Sequence, residues 1–241
     1  MSPMPPKLVL KKRPKGVTII EGFPGIGLVG TITTEFLTEH LKTEKIGGVL
    51  IDDVPAIVAV HGSKVIEPIS IHYNKKYNIV IIHAITLGKG GGWDLAAIIQ
   101  DLAEQLNAKE IIAIEGVGTM KPTEEAAAAV FYYSTSGKKN LDKVAKPLKE
   151  GIVVGVTGAL LARQENYKVP VTAFFAETPS NLPDSKGSAN VIRALDGYLG
   201  LDVDPKPLLK QAQQFEEKLK MIMSTAKKTT DLQKKQPSYF G

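Results

Sequence analysis

The residues most suggestive of chemistry are the glycines of residues 22–30, which read G-F-P-G-I-G-L-V-G. Gly25, Gly27 and Gly30 match the G-x-G-x-x-G pattern, in which a glycine-rich turn lets a pyrophosphate approach the N-terminus of a helix. Asp52 follows about 20 residues later, where a dinucleotide-binding fold places its ribose-binding acid. The string therefore predicts either a ligand-binding loop or glycines that allow a helix and a strand to pack closely.

A second glycine-rich stretch covers residues 88–92, just before a predicted helix. Free backbone N–H groups around Gly90 would suit an anion, which makes Gly90 a further possible ligand-loop residue. The stretch lacks the G-x-x-x-x-G-K-[ST] order of a phosphate loop, and a surface loop is the alternative. Together the two loops leave open a nucleotide- or nucleoside-using enzyme.

Catalytic and metal-binding patterns are weak. None of the four histidines forms an H-x-x-x-H pair, and His83 lies inside a predicted buried strand, where a hydrogen-bonded core histidine is expected. There is no G-x-S-x-G elbow for a serine nucleophile. Glu115 and Glu177 end two predicted strands and are candidates for a carboxylate pair. We therefore predict no catalytic residue, no metal site and no cofactor.

Composition and charge exclude several classes of function. The absence of cysteine excludes disulfides, thiol catalysis and Cys–zinc sites. The net charge of +5 comes from the ends: residues 1–16 and 205–241 each carry +5, and the body between them carries −5. Because basic and aromatic residues do not interleave, nucleic-acid binding is not predicted. No apolar run reaches the roughly 20 residues of a membrane span, so we expect a cytoplasmic protein.

Alternating apolar runs and amphipathic stretches predict an α/β fold whose sheet is mostly parallel and carries helices on both faces. Strands are predicted at 17–20, 45–51, 78–85, 110–114, 127–133, 151–156 and 169–176, with a hairpin at 56–60 and 65–71. Helices are predicted at 26–41, 93–106, 141–148, 159–165 and 190–199. The predicted organisation is a basic N-terminal segment (1–15), one domain (16–201), a C-terminal helix (202–228) and a flexible tail (229–241).

The C-terminal helix carries apolar residues at alternating spacings of four and three, which is the pattern of a short coiled-coil seam. Its first five positions are Leu208, Ala212, Phe215, Leu219 and Ile222. Too short to be stable alone, the seam is expected to pack either on its own domain or on sister subunits. The sequence then ends with an aromatic pair and a free carboxylate, Tyr239-Phe240-Gly241, docked either on the protein itself or on a partner.

Four strings resemble the proteasome assembly chaperone family in its archaeal branch, and the resemblance spans about residues 16–201. They are residues 21–30 (E-G-F-P-G-I-G-L-V-G), 52–55 (D-D-V-P), 157–161 (T-G-A-L-L) and 176–179 (A-E-T-P). The resemblance implies a three-layer α/β/α sandwich related to the nucleoside phosphorylase fold and without a demonstrated enzymatic site. It also implies binding to the α-subunit ring of the proteasome core particle.

The resemblance gives the tail a role, because proteasome activators dock through a C-terminal hydrophobic–Tyr–any motif whose carboxylate pairs with a pocket lysine between α subunits. Tyr239 would be the hydrophobic residue, Phe240 stands where tyrosine is usual, and Gly241 would provide the carboxylate. The expected protein is a non-enzymatic homo-oligomer, a tetramer or pentamer, that assists proteasome assembly or opens the gate without ATP. The alternatives are a scaffold with sequestered tails, or the enzyme named above.

Overall fold

The computed structural model describes residues 6–51, 58–61, 64–87, 91–118, 129–137, 140–178, 182–210 and 221. The strands are β1 (Lys7–Leu10), β2 (Thr18–Gly22), β3 (Glu44–Leu50), β4 (Ala59–His61), β5 (Lys64–Ile66), β6 (Ile69–Asn74), β7 (Ile79–Ala84), β8 (Glu110–Gly118), β9 (Val130–Ser134), β10 (Lys146–Pro147) and β11 (Val171–Thr178). The helices are α1 (Val29–His40), α2 (Gly92–Gln105), α3 (Gly155–Ala162) and α4 (Ser185–Leu199).

The main sheet has the strand order β1-β3-β6-β7-β2-β8-β11-β9-β10. Its centre, β7-β2-β8-β11, is parallel, as the alternating pattern predicted. The strands next to this centre pair antiparallel: β6 with β7, β3 with β6, β1 with β3, and β9 with β11. The β6–β7 turn is too short for a crossover helix, so these two strands can only form a hairpin.

Helices cover both faces of the sheet, which confirms the three-layer α/β/α architecture. Helices α2 and α3 pack together on one face, and α1 and α4 pack together on the other. Successive residues of the central strands alternate between the two cores, so that Ile19 packs under α2 and α3 while Ile20 packs under α1 and α4. Because both faces are covered, every residue of β7 is buried, which explains why all of them except His83 are apolar.

Three predicted elements differ from the observed ones, and one observed strand was not predicted. The predicted helix over 141–148 is wrong: it is a 3₁₀ turn, Leu141–Lys143, followed by the edge strand β10 alongside β9. Pro147 suits such an edge position because it has no N–H to donate to a further strand. The strand predicted at 151–156 is wrong: residues 151–154 form a mostly exposed loop that pairs with none of the described strands, and α3 begins at Gly155. The short helix expected at 159–165 therefore begins earlier, as α3. The basic N-terminal segment contains a strand that sequence reasoning missed, β1, which lies at the other sheet edge.

Helix α4 is capped at both ends. The side chain of Asp184 accepts a 2.8 Å hydrogen bond from the Gly187 N–H, and Gly200 ends the helix with a left-handed φ of 65°. Asp184 also donates its backbone N–H to the Gly27 carbonyl at 2.8 Å. The cap therefore connects α4 to the glycine string. No helix formed by the described residues is both long and apolar enough to cross a membrane.

Replacing Asp184 by alanine should lower the free energy of unfolding by about 1 kcal/mol, because the first turn of α4 loses its side-chain acceptor. Urea unfolding measures the difference. Asp184→Asn is the matched control, since its amide oxygen can still accept from Gly187 and most of the stability should remain. Equal loss in both variants would mean that the negative charge, and not the capping oxygen, stabilises the helix.

Candidate functional site

A cavity of about 750 Å³ opens at the carboxyl ends of β8 and β11, the sheet edge at which α/β folds bind ligands. Its walls include β8 from Glu115 onward, Phe131, Phe175, Glu177 and the segment 146–154. Most of that segment is exposed, including Ile152 at 90%. The cavity thus has a well-packed inner end on the sheet and an outer wall formed by an exposed loop.

The structure brings together the two carboxylates that the sequence singled out. In the parallel register of β8 and β11, Glu115 is aligned with Phe175, and Glu177 follows two residues later. Alternation along the strand therefore directs all three side chains to the α2/α3 face. Both Glu115 and Glu177 line the cavity, but only Glu115 is buried, with 8% of its surface exposed.

A third carboxylate, which sequence reasoning missed, lies behind Glu115. Glu21 on β2 is fully buried, and its alignment with Ala113 places it on the same face of the sheet as Glu115. Thr157, near the start of α3, donates a 3.4 Å hydrogen bond to Oε1 of Glu21 and also hydrogen-bonds to Glu115. An acid inside the apolar strand β2 was the available signal, since acids are almost never fully buried without a partner.

Burial dominates the electrostatics of this pair. Loss of solvation raises the pKa of Glu115 from 4.5 to about 7, although hydrogen bonds from the Gly116 N–H and from Thr157 favour its ionised form. Burial, and then the neighbouring charge of Glu115, raises the pKa of Glu21 well above its ordinary value. Near neutral pH Glu115 is therefore only partly ionised, and Glu21 keeps its proton to a higher pH than an exposed carboxyl would.

The glycines of the G-x-G-x-x-G string face protein atoms. A Cβ on Gly25 would overlap Oε1 of Glu115, and one on Gly27 would lie 2.8 Å from Oγ1 of Thr178. Gly27 also has a φ of 66°, which only glycine adopts readily. A Cβ on Gly30 would lie 2.6 Å from the Ile114 carbonyl oxygen. These contacts favour the packing interpretation, and a phosphate beside Gly25 would meet a carboxylate.

The remaining predicted ligand residues, Asp52 and Gly90, lie outside the described residues, so the ribose-acid and second-loop predictions stay untested. Of the predicted seam, Leu208 is buried against the α1/α4 core of its own domain. The other seam positions and the terminal motif also lie outside the described residues. They are Ala212, Phe215, Leu219, Ile222, Tyr239, Phe240 and Gly241.

His83 is the hydrogen-bonded core histidine that its strand position predicted. Its Nδ1 lies 3.0 Å from Oγ1 of Thr34, its Nε2 lies 2.8 Å from Oε2 of Glu35, and only 2% of its surface is exposed. Nearby, burial lowers the pKa of His72 to about 4, so that histidine is neutral at physiological pH. Among the described residues no three His, Asp or Glu side chains are grouped closely enough to hold a metal ion.

Comparisons of the sequence and of the fold with known proteins point to the same group of proteins. The model of the PAC2 family matches residues 19–223. The crystal structure of Pyrococcus furiosus PbaA, described as an archaeal homolog of proteasome-assembly chaperone, is 29% identical with a TM-score of 0.79, over 94% of this chain and 100% of that one.

Two further proteins are similar over most of their length. Pyrococcus furiosus PbaB, described as an archaeal proteasome activator, is 23% identical with a TM-score of 0.73, over 90% of this chain and 98% of that one. At that identity the likeness establishes a common fold alone. A protein of Methanocaldococcus jannaschii described as uncharacterized is 26% identical over 208 residues, which are 85% of this chain and 84% of that protein.

Proposed function

This chain belongs to the PAC2 family, and from that premise we propose that it is a non-enzymatic, homo-oligomeric protein that binds the α ring of the proteasome core particle. It would assist assembly of the core particle or open its gate without ATP. The observation that carries the proposal is the similarity to PbaA, a protein described as a homolog of a proteasome-assembly chaperone, over 94% of this chain. The likeness to PbaB adds agreement in fold.

The proposed contact is made by the terminal residues. Tyr239 fills the apolar part of a pocket between adjacent α subunits, Phe240 takes the place of the usual tyrosine, and the Gly241 carboxylate pairs with a pocket lysine. This assignment follows the C-terminal docking motif of proteasome activators. Phe240 lacks the hydroxyl of that motif, so each single tail should bind more weakly than one that carries tyrosine.

An oligomer compensates for weak single tails, because several tails on one assembly bind the ring together. The segment before the motif is polar and rich in lysine, with Lys227, Lys228, Lys234 and Lys235 available to be steered by an acidic partner surface. The buried Leu208 fixes this end of the described chain to the α1/α4 face of the body. We therefore expect the tails to leave each subunit from that face.

Deleting residues 239–241 should reduce binding to purified archaeal core particles by about a hundredfold or more, because every tail of the oligomer loses its anchor. Surface-immobilised core particles measure the affinity, and hydrolysis of a fluorogenic peptide measures gate opening. The native mass of the assembly should not change. If the shortened protein binds and stimulates core particles as well as the full chain does, the tail mechanism is wrong.

Two single substitutions at Phe240 sharpen this test. Phe240→Tyr restores the hydroxyl of the docking motif and should bind at least as tightly as the natural chain. Phe240→Ala removes the ring and should approach the affinity of the deletion variant. If the two variants bound core particles with equal affinity, the side chain at position 240 would not contribute to docking. The scaffold with sequestered tails would then be the better proposal.

A further inference from the structure

The cavity at the carboxyl ends of β8 and β11 has no part in the proposed docking through the tails. We propose that it is a binding site for a small organic cation, an amine or guanidine on an apolar body, whose charged group pairs with Glu115. The proposal rests on the cavity, on the buried acids at its inner end and on the apolar side chains along its walls. It stands whether or not the chain binds proteasomes.

The described residues at the inner end of the cavity include acidic side chains and no buried base. Glu115 is 8% exposed there, and Glu21 is fully buried behind it. Oε2 of Glu21 accepts no hydrogen bond from any described residue. Among the residues lining the cavity, the bases are Lys146 and Lys149, and both are exposed. Within the described part of the chain, neither of these two buried carboxyl groups is paired with a cation.

Such an arrangement favours a positively charged ligand over an anionic one. A buried carboxylate is costly unless it is paired, and a cation within about 4–6 Å compensates for its lost hydration. Thr157 and the Gly116 N–H supply hydrogen bonds but no charge. A phosphate or carboxylate in the same place would add repulsion from Glu115. The site therefore selects against the nucleotides that the glycine pattern alone would suggest.

The walls suit an apolar body. Val117, Phe131 and Phe175 line the inner half, and the outer loop contributes Ile152 and Val154, which are 90% and 60% exposed. A volume of about 750 Å³ lies within the usual range for small-molecule sites. A ligand with a ring or a short alkyl chain would cover these exposed side chains while its charged end reaches Glu115.

A matched series of probes tests the charge preference. The probes 2-phenylethylamine, 2-phenylethanol and 3-phenylpropionate share one ring and differ in the charge of the end group. Isothermal titration calorimetry near pH 7 should show saturable binding of the amine, weaker binding of the alcohol and none of the carboxylate. The proposal is wrong if the amine does not saturate by about 10 mM, or if the amine and the carboxylate bind alike.

Replacing Glu115 by glutamine should weaken amine binding by about tenfold or more, because a charge-assisted contact becomes a neutral one. Binding of the alcohol should stay within about twofold. Glu150→Gln, which removes an exposed carboxyl from the same cavity wall, is the matched control and should change neither. If Glu115→Gln binds the amine as tightly as the natural chain, Glu115 is not the receptor and the proposal is overturned.

A second readout needs no variant. Because the pKa of Glu115 is about 7, pairing with a cation near that pH should release protons, and titrations in buffers of different ionisation enthalpy would measure them. The other charged groups among the described residues that line this cavity are Glu150, Glu177, Lys146 and Lys149, and Glu21 lies behind Glu115. The release should therefore disappear in Glu115→Gln and persist in Glu150→Gln. Amine binding without proton release would contradict pairing at Glu115.

Discussion

Replacing Gly30 by alanine is expected to lower the free energy of unfolding by about 3 kcal/mol, even though alanine is the better helix former. Inside α1 the substitution would gain about 1 kcal/mol from helix propensity. Against this, the new Cβ would lie 2.6 Å from the Ile114 carbonyl oxygen and 2.9 Å from that of Phe23. The Ile114 carbonyl belongs to the central strand β8, which cannot move away without disturbing its parallel neighbours. Urea unfolding gives the difference.

Gly118→Ala is the matched control for this prediction. Gly118 ends β8, the same strand as Ile114, but a Cβ there would meet no atom of the described residues within 4 Å. We expect a change of less than about 0.5 kcal/mol. If Gly30→Ala were as stable as the natural chain, there would be free space between α1 and β8. The interpretation of residues 22–30 as a ligand-binding loop would then be favoured again.

The glycine string shows why the sequence left its two interpretations open. A loop that cradles a phosphate and a helix that packs closely on a strand both require positions without a Cβ. Only the atoms opposite each glycine distinguish them, and these come from distant parts of the chain: Glu115 opposite Gly25, Thr178 opposite Gly27 and Ile114 opposite Gly30. The local sequence pattern identified the glycines, but only the tertiary packing shows that they allow close contact between a helix and a strand.

The centre of the fold was the easiest part to predict. Strands β7 and β8 contain the apolar runs 79–82 and 111–114 because they are covered on both faces, and α2 has a clear amphipathic period. The sheet edges were harder. Residues 141–148 have spacing that suits a helix, yet β10 forms there by pairing with β9, and no short-range pattern records a partner strand.

The candidate site was predictable only in part. Glu115 and Glu177 were noticed because each ends a strand, but their meeting depends on the register of β8 and β11. Glu21 and Thr157 are separated by 136 residues, and only the placement of α3 over the end of β2 brings them together. Sequence spacing carries no information about such a contact, which explains why the most buried carboxyl of the site was missed.

The second large effect is a loss of stability as the pH rises toward neutrality. The pKa of Glu115 is 4.5 in its ordinary state and about 7 in the folded protein. Below about pH 4.5 the Glu115 carboxyl is protonated in both the folded and the unfolded state, so it does not change the free energy of unfolding. Between about pH 4.5 and 7 the unfolded chain releases the proton while the folded protein keeps it, so the free energy of unfolding should fall by about 3 kcal/mol. The raised pKa of Glu21 acts in the same direction.

Glu115→Gln tests this assignment because it keeps the shape of the side chain and removes its ionisation. The variant should match the natural chain at pH 4 and exceed its stability at pH 8 by about 3 kcal/mol, as measured by urea midpoints across that range. Glu150→Gln, which removes an exposed carboxyl, should follow the natural chain throughout. If Glu115→Gln loses as much stability as the natural chain over this interval, Glu115 is not the source of the fall.

The same reasoning connects stability to the cavity. A cation that pairs with Glu115 stabilises the ionised folded state, so 2-phenylethylamine should raise the urea midpoint more at pH 8 than at pH 4. The neutral 2-phenylethanol lacks that charge, and its effect should not depend on pH. In Glu115→Gln the amine should lose its pH dependence as well. The buried carboxyl would then be a destabilising feature that the folded protein retains because a ligand neutralises it.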